Sequence, residues 1–185
     1  MSDPTVPDGE ILYAHEDGVC VLKLVGDIRY TTGTAARVSR AFDAFLDRLL
    51  TDARGERLRH VLVDMSETVS IDSTNLGLLA RLVSLDGGPG ASEARPVILA
   101  CRPDITRVLE SMGFDRVFRM VGTTDEALPA EETAPTPVNA LVGGGTRDTL
   151  TVILQAHRRL MAMNTSNARV FADAVALLEA EVKRP

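Results

Sequence analysis

The sequence holds no tryptophan, only two tyrosines and five phenylalanines, so aromatics make up 4% of the chain. That scarcity leaves little with which to stack single-stranded bases or sugar rings. A basic excess is missing as well. The formal charge of -6 argues against a phosphate-backbone binder, so no nucleic acid partner is expected. No apolar run approaches the roughly 20 residues needed to cross a bilayer. The acidic start MSDPTVPDGE lacks a basic n-region and an apolar stretch. A cytoplasmic protein without membrane insertion is therefore expected. Cys20 and Cys101 lie far apart in apolar runs and read as small buried core residues, not as a disulfide or a metal pair. His15, His60 and His157 share no ligand spacing, so no metal site and no cofactor are expected.

What is present is the composition of a folded domain, with 45% hydrophobic and 25% charged residues in 185. The stretch from Ile11 to Val25 reads as two strands joined by a turn at Glu16-Asp17-Gly18. A helical period follows, with Ala35, Val38, Ala41, Phe42, Phe45, Leu46 and Leu49 at three- and four-residue steps and Thr34 as a candidate cap. Val61 to Met65 and Pro96 to Cys101 are short continuous apolar runs that suit strands buried on both faces. A second helix is expected from Asp72 or Ser73 to the Gly87-Gly88-Pro89-Gly90 loop. A third is expected with Asp104 as N-cap, Gly113 as its left-handed stop and Phe114 packed back on its last turn. A last strand spans Val117 to Val121. The order β-β-α-β-α-β-α-β predicts an α/β domain with helices packed on a mixed sheet.

Residues 1–122 thus form the domain, and 123–146, rich in Pro, Glu, Thr and Gly, read as a linker. Residues 147–185 return to a helical pattern. Leu150, Leu154, His157, Met161, Asn164, Ala168, Phe171, Val175, Leu178 and Val182 alternate four- and three-residue steps, and Ile153, Leu160 and Ala174 widen the stripe. A bundle or docking contact fits this width better than a two-stranded coil. The cluster Asn164-Thr165-Ser166-Asn167 offers a break that would fold the segment into a helical hairpin. Burying the stripe between copies would make residues 147–183 a self-association element.

No phosphate loop of the Walker type, no G-x-S-x-G elbow and no H-E-x-x-H pair is present. One segment concentrates chemistry: Val69 to Gly77, at the junction of a buried strand and an amphipathic helix. A hydroxyl there either caps the free amides of the helix or accepts a phosphoryl group, which the same amides would tolerate. A hydrolytic group of Asp72, Ser73 and His60 or His15 lacks a convincing oriented base, so no catalytic residue is expected.

Three separated segments in order, VCVLKLVGDI, IDSTNLGLL and RVLESMGFDRVFRM, resemble the STAS domain family of bacterial anti-anti-sigma factors over about residues 10 to 122. The resemblance implies a STAS-like mixed sheet and a binding protein whose acceptor is the serine after the motif acid. Asp72 is then the acid, Ser73 the acceptor, Thr74 the neighbouring hydroxyl, and Gly77 the small residue that permits close approach. Asn75 stands where glycine is often found. Asp27 matches an acidic position near the same surface, or is a turn acid. The implied partners are an anti-sigma serine kinase, sequestered while Ser73 is unmodified, and a PP2C-type phosphatase that restores Ser73. Other members of the family serve as scaffolds in stress-signalling assemblies or as accessories of lipid transporters, in which case the C-terminal segment would carry the function by self-association.

Overall fold

The computed structural model describes residues 9–16, 18–30, 34–52, 60–85, 97–122, 134–142 and 148–183. Strands β1 (Glu10–Glu16) and β2 (Val19–Ile28) form the antiparallel hairpin, with Gly18 at φ 82 in its turn. Asp17 lies outside the described residues. Along β2 burial alternates strictly, so Cys20, Leu22, Leu24 and Ile28 face the core. Helix α1 (Thr34–Asp52) buries Ala41, Phe42, Phe45, Leu46 and Leu49, the stripe its period predicts.

Strand β3 (His60–Ile71) is buried continuously from Val61 to Met65, and β4 (Val97–Cys101) runs parallel beside it. The sheet order is β5-β4-β3-β2-β1-β6, with β5 at Arg119–Gly122 and β6 at Thr136–Pro137. β2, β3, β4 and β5 are parallel neighbours and β1 is antiparallel to both of its neighbours, so the sheet is mixed. Both cysteines are buried free thiols, and burial pushes each up to about 12.

Several boundaries differ from the sequence expectation. Helix α2 is short, Ser73–Leu79, and passes into a 3-10 segment, Ala80–Leu85; the glycine loop beyond it lies outside the described residues. Helix α3 (Pro103–Ser111) takes Arg102 as its N-cap, because Pro103 fits the first helical position; Asp104 sits inside the first turn instead. Gly113 does adopt the left-handed φ of 83, and Phe114 beyond it is fully buried.

The stretch expected to be a linker is structured over 134–142. Thr136 and Pro137 pair with Tyr13 and Leu12, adding β6 to the outer edge of β1, and helix α4 (Val138–Leu141) buries Val138. Proline carries no amide hydrogen to donate, which suits it to a sheet margin, so the composition that reads as a linker also makes an edge cover.

The C-terminal segment is three helices: α5 (Thr149–Met163), α6 (Thr165–Val170) and α7 (Ala172–Val182). Asn164 breaks the run. Its backbone is extended at φ -163, and its side chain accepts from the Asn167 amide as N-cap of α6. The chain folds back so that Arg158 of α5 meets Glu179 of α7 at 2.6 Å, a bond that holds the Glu179 carboxyl below its usual range. Val152, Leu154, Ala156, His157, Leu160, Asn167, Phe171 and Val175 are buried. Of the expected stripe, Leu154, His157, Leu160, Phe171 and Val175 are thus buried within the chain itself, with α5 lying along α2.

Candidate functional site

The site forms where two parallel strands end together. The last pairs of β2 and β3 are Asp27 with Ser70 and Ile28 with Ile71. From there Asp72 leaves the sheet in extended conformation, φ -89 and ψ 167, and becomes the N-cap of α2. Its Oδ1 accepts from the Asn75 amide at 2.9 Å, its Oδ2 accepts from the Tyr30 amide, and its own amide donates to the Ile28 carbonyl at 3.1 Å. One carboxylate thus fastens the helix start to the end of β2.

Asn75 strengthens the same tie. Its Nδ2 donates to Asp72 Oδ1 at 3.0 Å and to the Ile28 carbonyl at 3.4 Å, and the residue is fully buried. Two acceptors fix the amide orientation and leave Oδ1 without a partner among the described residues. Asp27 lies beside this clamp. It accepts the Ser70 hydroxyl and pairs with Arg29 at 2.9 Å, while Arg29 Nε also reaches Ser70 Oγ at 3.2 Å. Asp27 is therefore an ion-paired strand acid at the same end of the sheet.

Because Asp72 does the capping, the Ser73 hydroxyl is not used on the helix backbone. It points instead to His157 of α5, with Oγ and Nε2 3.0 Å apart. His157 Nδ1 lies 2.8 Å from the Ile153 carbonyl. A carbonyl only accepts, so Nδ1 carries a ring hydrogen and, in the tautomer where that is the ring's single hydrogen, Nε2 accepts the Ser73 hydroxyl. Phe171 packs edge-on against the ring at 5.2 Å, which holds its plane. Ser73 itself is half-buried, and Thr74 is buried.

Gly77, one turn further, meets the backbone of α5. A Cβ built there would lie 2.3 Å from the Ala156 carbonyl oxygen and 2.6 Å from Ala156 Cα. The close approach predicted for this glycine is thus made by the chain's own C-terminal helix. At the far end of α5, Asn164 and Asn167 both donate to the Met112 carbonyl, at 3.0 and 2.9 Å.

The structure also relocates the histidine. His60 opens β3 and His15 pairs with Cys20 near the same end, so both lie at the opposite end of the sheet from Ser73. Sequence reasoning placed His157 only in a heptad position, where a polar ring in an apolar stripe was the one available signal. Ser73 and His157 resemble the first two members of a hydrolytic triad, with a backbone carbonyl behind the histidine in place of a carboxylate. A cleft of about 610 Å3 does open nearby, lined by Leu50, Arg81, Val83, Val117, Arg159 and Met163 among others, but neither Ser73 nor His157 borders it. Among the described residues no group of three His, Cys, Asp or Glu side chains converges as a metal site, and no helix is long and apolar enough to cross a membrane.

The profile of the STAS domain family matches residues 10–127, more than half of the chain. The chain belongs to the STAS domain family. A solved structure similar to it is an anti-sigma factor antagonist from Mycobacterium paratuberculosis, 21% identical, with a TM-score of 0.46, covering 68% of this chain and 93% of that one. No curated protein matches the sequence. The STAS match ends before β6 and α4, so the helices that cover Ser73 are an addition to the family's domain.

Proposed function

We propose that this STAS domain is a phosphorylation-switched anti-anti-sigma factor, a protein-binding regulator without catalysis of its own. Unmodified Ser73 permits capture of an anti-sigma serine kinase, which frees a sigma factor. The kinase transfers a phosphoryl group from ATP to Ser73 Oγ and is released, and a PP2C-type phosphatase hydrolyses the ester. Asp27, Asp72, Ser73, Thr74, Asn75 and Gly77 define the region of the contact.

The observation that supports this reading is the division of labour between Asp72 and Ser73. Asp72 caps α2 and ties it to β2, so the serine hydroxyl is free of any structural duty to the helix. A group that is modified reversibly has to be one the fold does not depend on. Phosphorylation adds roughly 1.5 to 2 negative charges beside Asp72, which opposes an acidic partner surface and adds a desolvation cost to any interface there. The domain stays folded while its binding is lost.

The test is partner capture by the full chain. The parent and Ser73→Ala are expected to retain an ATP-binding serine kinase from the native lysate, and Ser73→Asp to lose it. Equal capture by all three would refute the switch.

A further inference from the structure

The face that the proposed switch needs is already occupied. We infer that α5 and α6 are an intramolecular occupant of the Ser73 face, so that closure of this segment competes with phosphorylation and with partner binding. The inference rests on the proposed role of Ser73 and adds a layer of regulation to it.

Three contacts define the closed form. His157 Nε2 takes the Ser73 hydroxyl at 3.0 Å. The Ala156 backbone sits where any side chain at position 77 would be, so the two helices meet backbone to backbone. Asn164 and Asn167 fasten the far end to the Met112 carbonyl, and Asn164 Nδ2 lies 2.6 Å from where a Cβ on Gly113 would stand. Each is a fit of small or polar groups that depends on close register, and each joins the added helices to the STAS domain proper.

A phosphoryl group and this closure exclude one another. Phosphorus with three further oxygens on Oγ does not fit within a 3.0 Å hydrogen bond to a ring held by Ile153 and Phe171. Thr74 and Gly77, on the same short helix, are buried in the closed form, so a partner reading α2 meets α5 first. Opening exposes Val152, Leu154 and Leu160, which are buried when α5 is docked. Closure is thus the resting state, and a partner or a phosphate on Ser73 has to offset the exposure.

Hydrogen exchange on the full chain tests this. With phosphoserine installed at position 73 during translation, amides of Val152 to Leu160 are expected to exchange roughly tenfold faster or more, while those of β2 and β3 stay protected. A second measurement leaves Ser73 without phosphate. In a Ser73→Cys chain the new thiol is expected to alkylate slowly, and roughly tenfold faster when Asn167→Ala removes the remote anchor, since Cys20 and Cys101 are buried and protonated. Unchanged α5 exchange together with unchanged labelling would overturn the closure and leave the switch standing. Equal kinase capture by Ser73→Ala and Ser73→Asp would sink the switch while leaving an opened α5 as evidence for closure.

Discussion

Asp72 and Ser73 are adjacent and both polar, yet they do different work because their backbones differ. Asp72 is extended and reaches back to its own helix and to Tyr30, whereas Ser73 is the first helical residue and turns its hydroxyl to His157 of α5. Asp72→Ala removes a cap and a cross-strand tie together, so a loss of about 1–3 kcal/mol is expected in urea unfolding. Ser73→Ala removes one half-buried hydrogen bond and should cost less than about 1.5 kcal/mol in the same measurement. The thiols predict a pH response. Cys20 and Cys101 titrate near 9.0 when unfolded and near 12 when buried, so the unfolded chain loses these protons first. Stability is therefore complete below about pH 9 and falls as pH rises from 9.0 toward 12, which unfolding midpoints at stepped alkaline pH would show.

Between elements, a buried ion pair and a missing side chain set the packing. Arg81 of the 3-10 segment pairs with Asp43 of α1 at 2.7 Å, with both side chains under a tenth exposed, and reaches Asp47 as well. Removing the cation takes its closest positive charge from a buried carboxylate, so Arg81→Ala should lose about 1–3 kcal/mol of unfolding free energy. Gly77 acts by having no Cβ. Gly77→Ala meets the Ala156 carbonyl and is expected to cost about 1–3 kcal/mol, with faster hydrogen exchange confined to α5. Helix α1 and strand β2 were legible in the sequence because each carries one clean period, 3.6 and 2.0, over a long run. The 3-10 ending of α2 was not, since Leu76, Leu79 and Leu82 suit either geometry and the choice follows from packing on α1 and α5.

Across the whole molecule, the addition to the STAS domain folds onto it. β6 covers the β1 edge, α4 seats Val138 in the core, and α5 with α6 crosses to α2 and the end of α3. The apolar stripe from Leu150 to Val182 predicts a partner surface, and for its α5 part that partner is α2 of the same chain. Of that stripe Ala174 and Val182 remain exposed, and Val170 and Leu177 lie exposed beside it.

The amino-acid order by itself determined the hairpin, the parallel strands, the left-handed stop at Gly113 and the Asp72–Ser73 motif at a strand-to-helix junction, because each is written in local periodicity or in a residue's own φ and ψ limits. It did not determine that His157 meets Ser73 across 84 positions, that Asn164 and Asn167 anchor on Met112, or that Thr136 and Pro137 extend the sheet. Those contacts join residues whose local signals are silent about each other. Only the burial of a wide apolar stripe against one particular helix brings them within bonding distance.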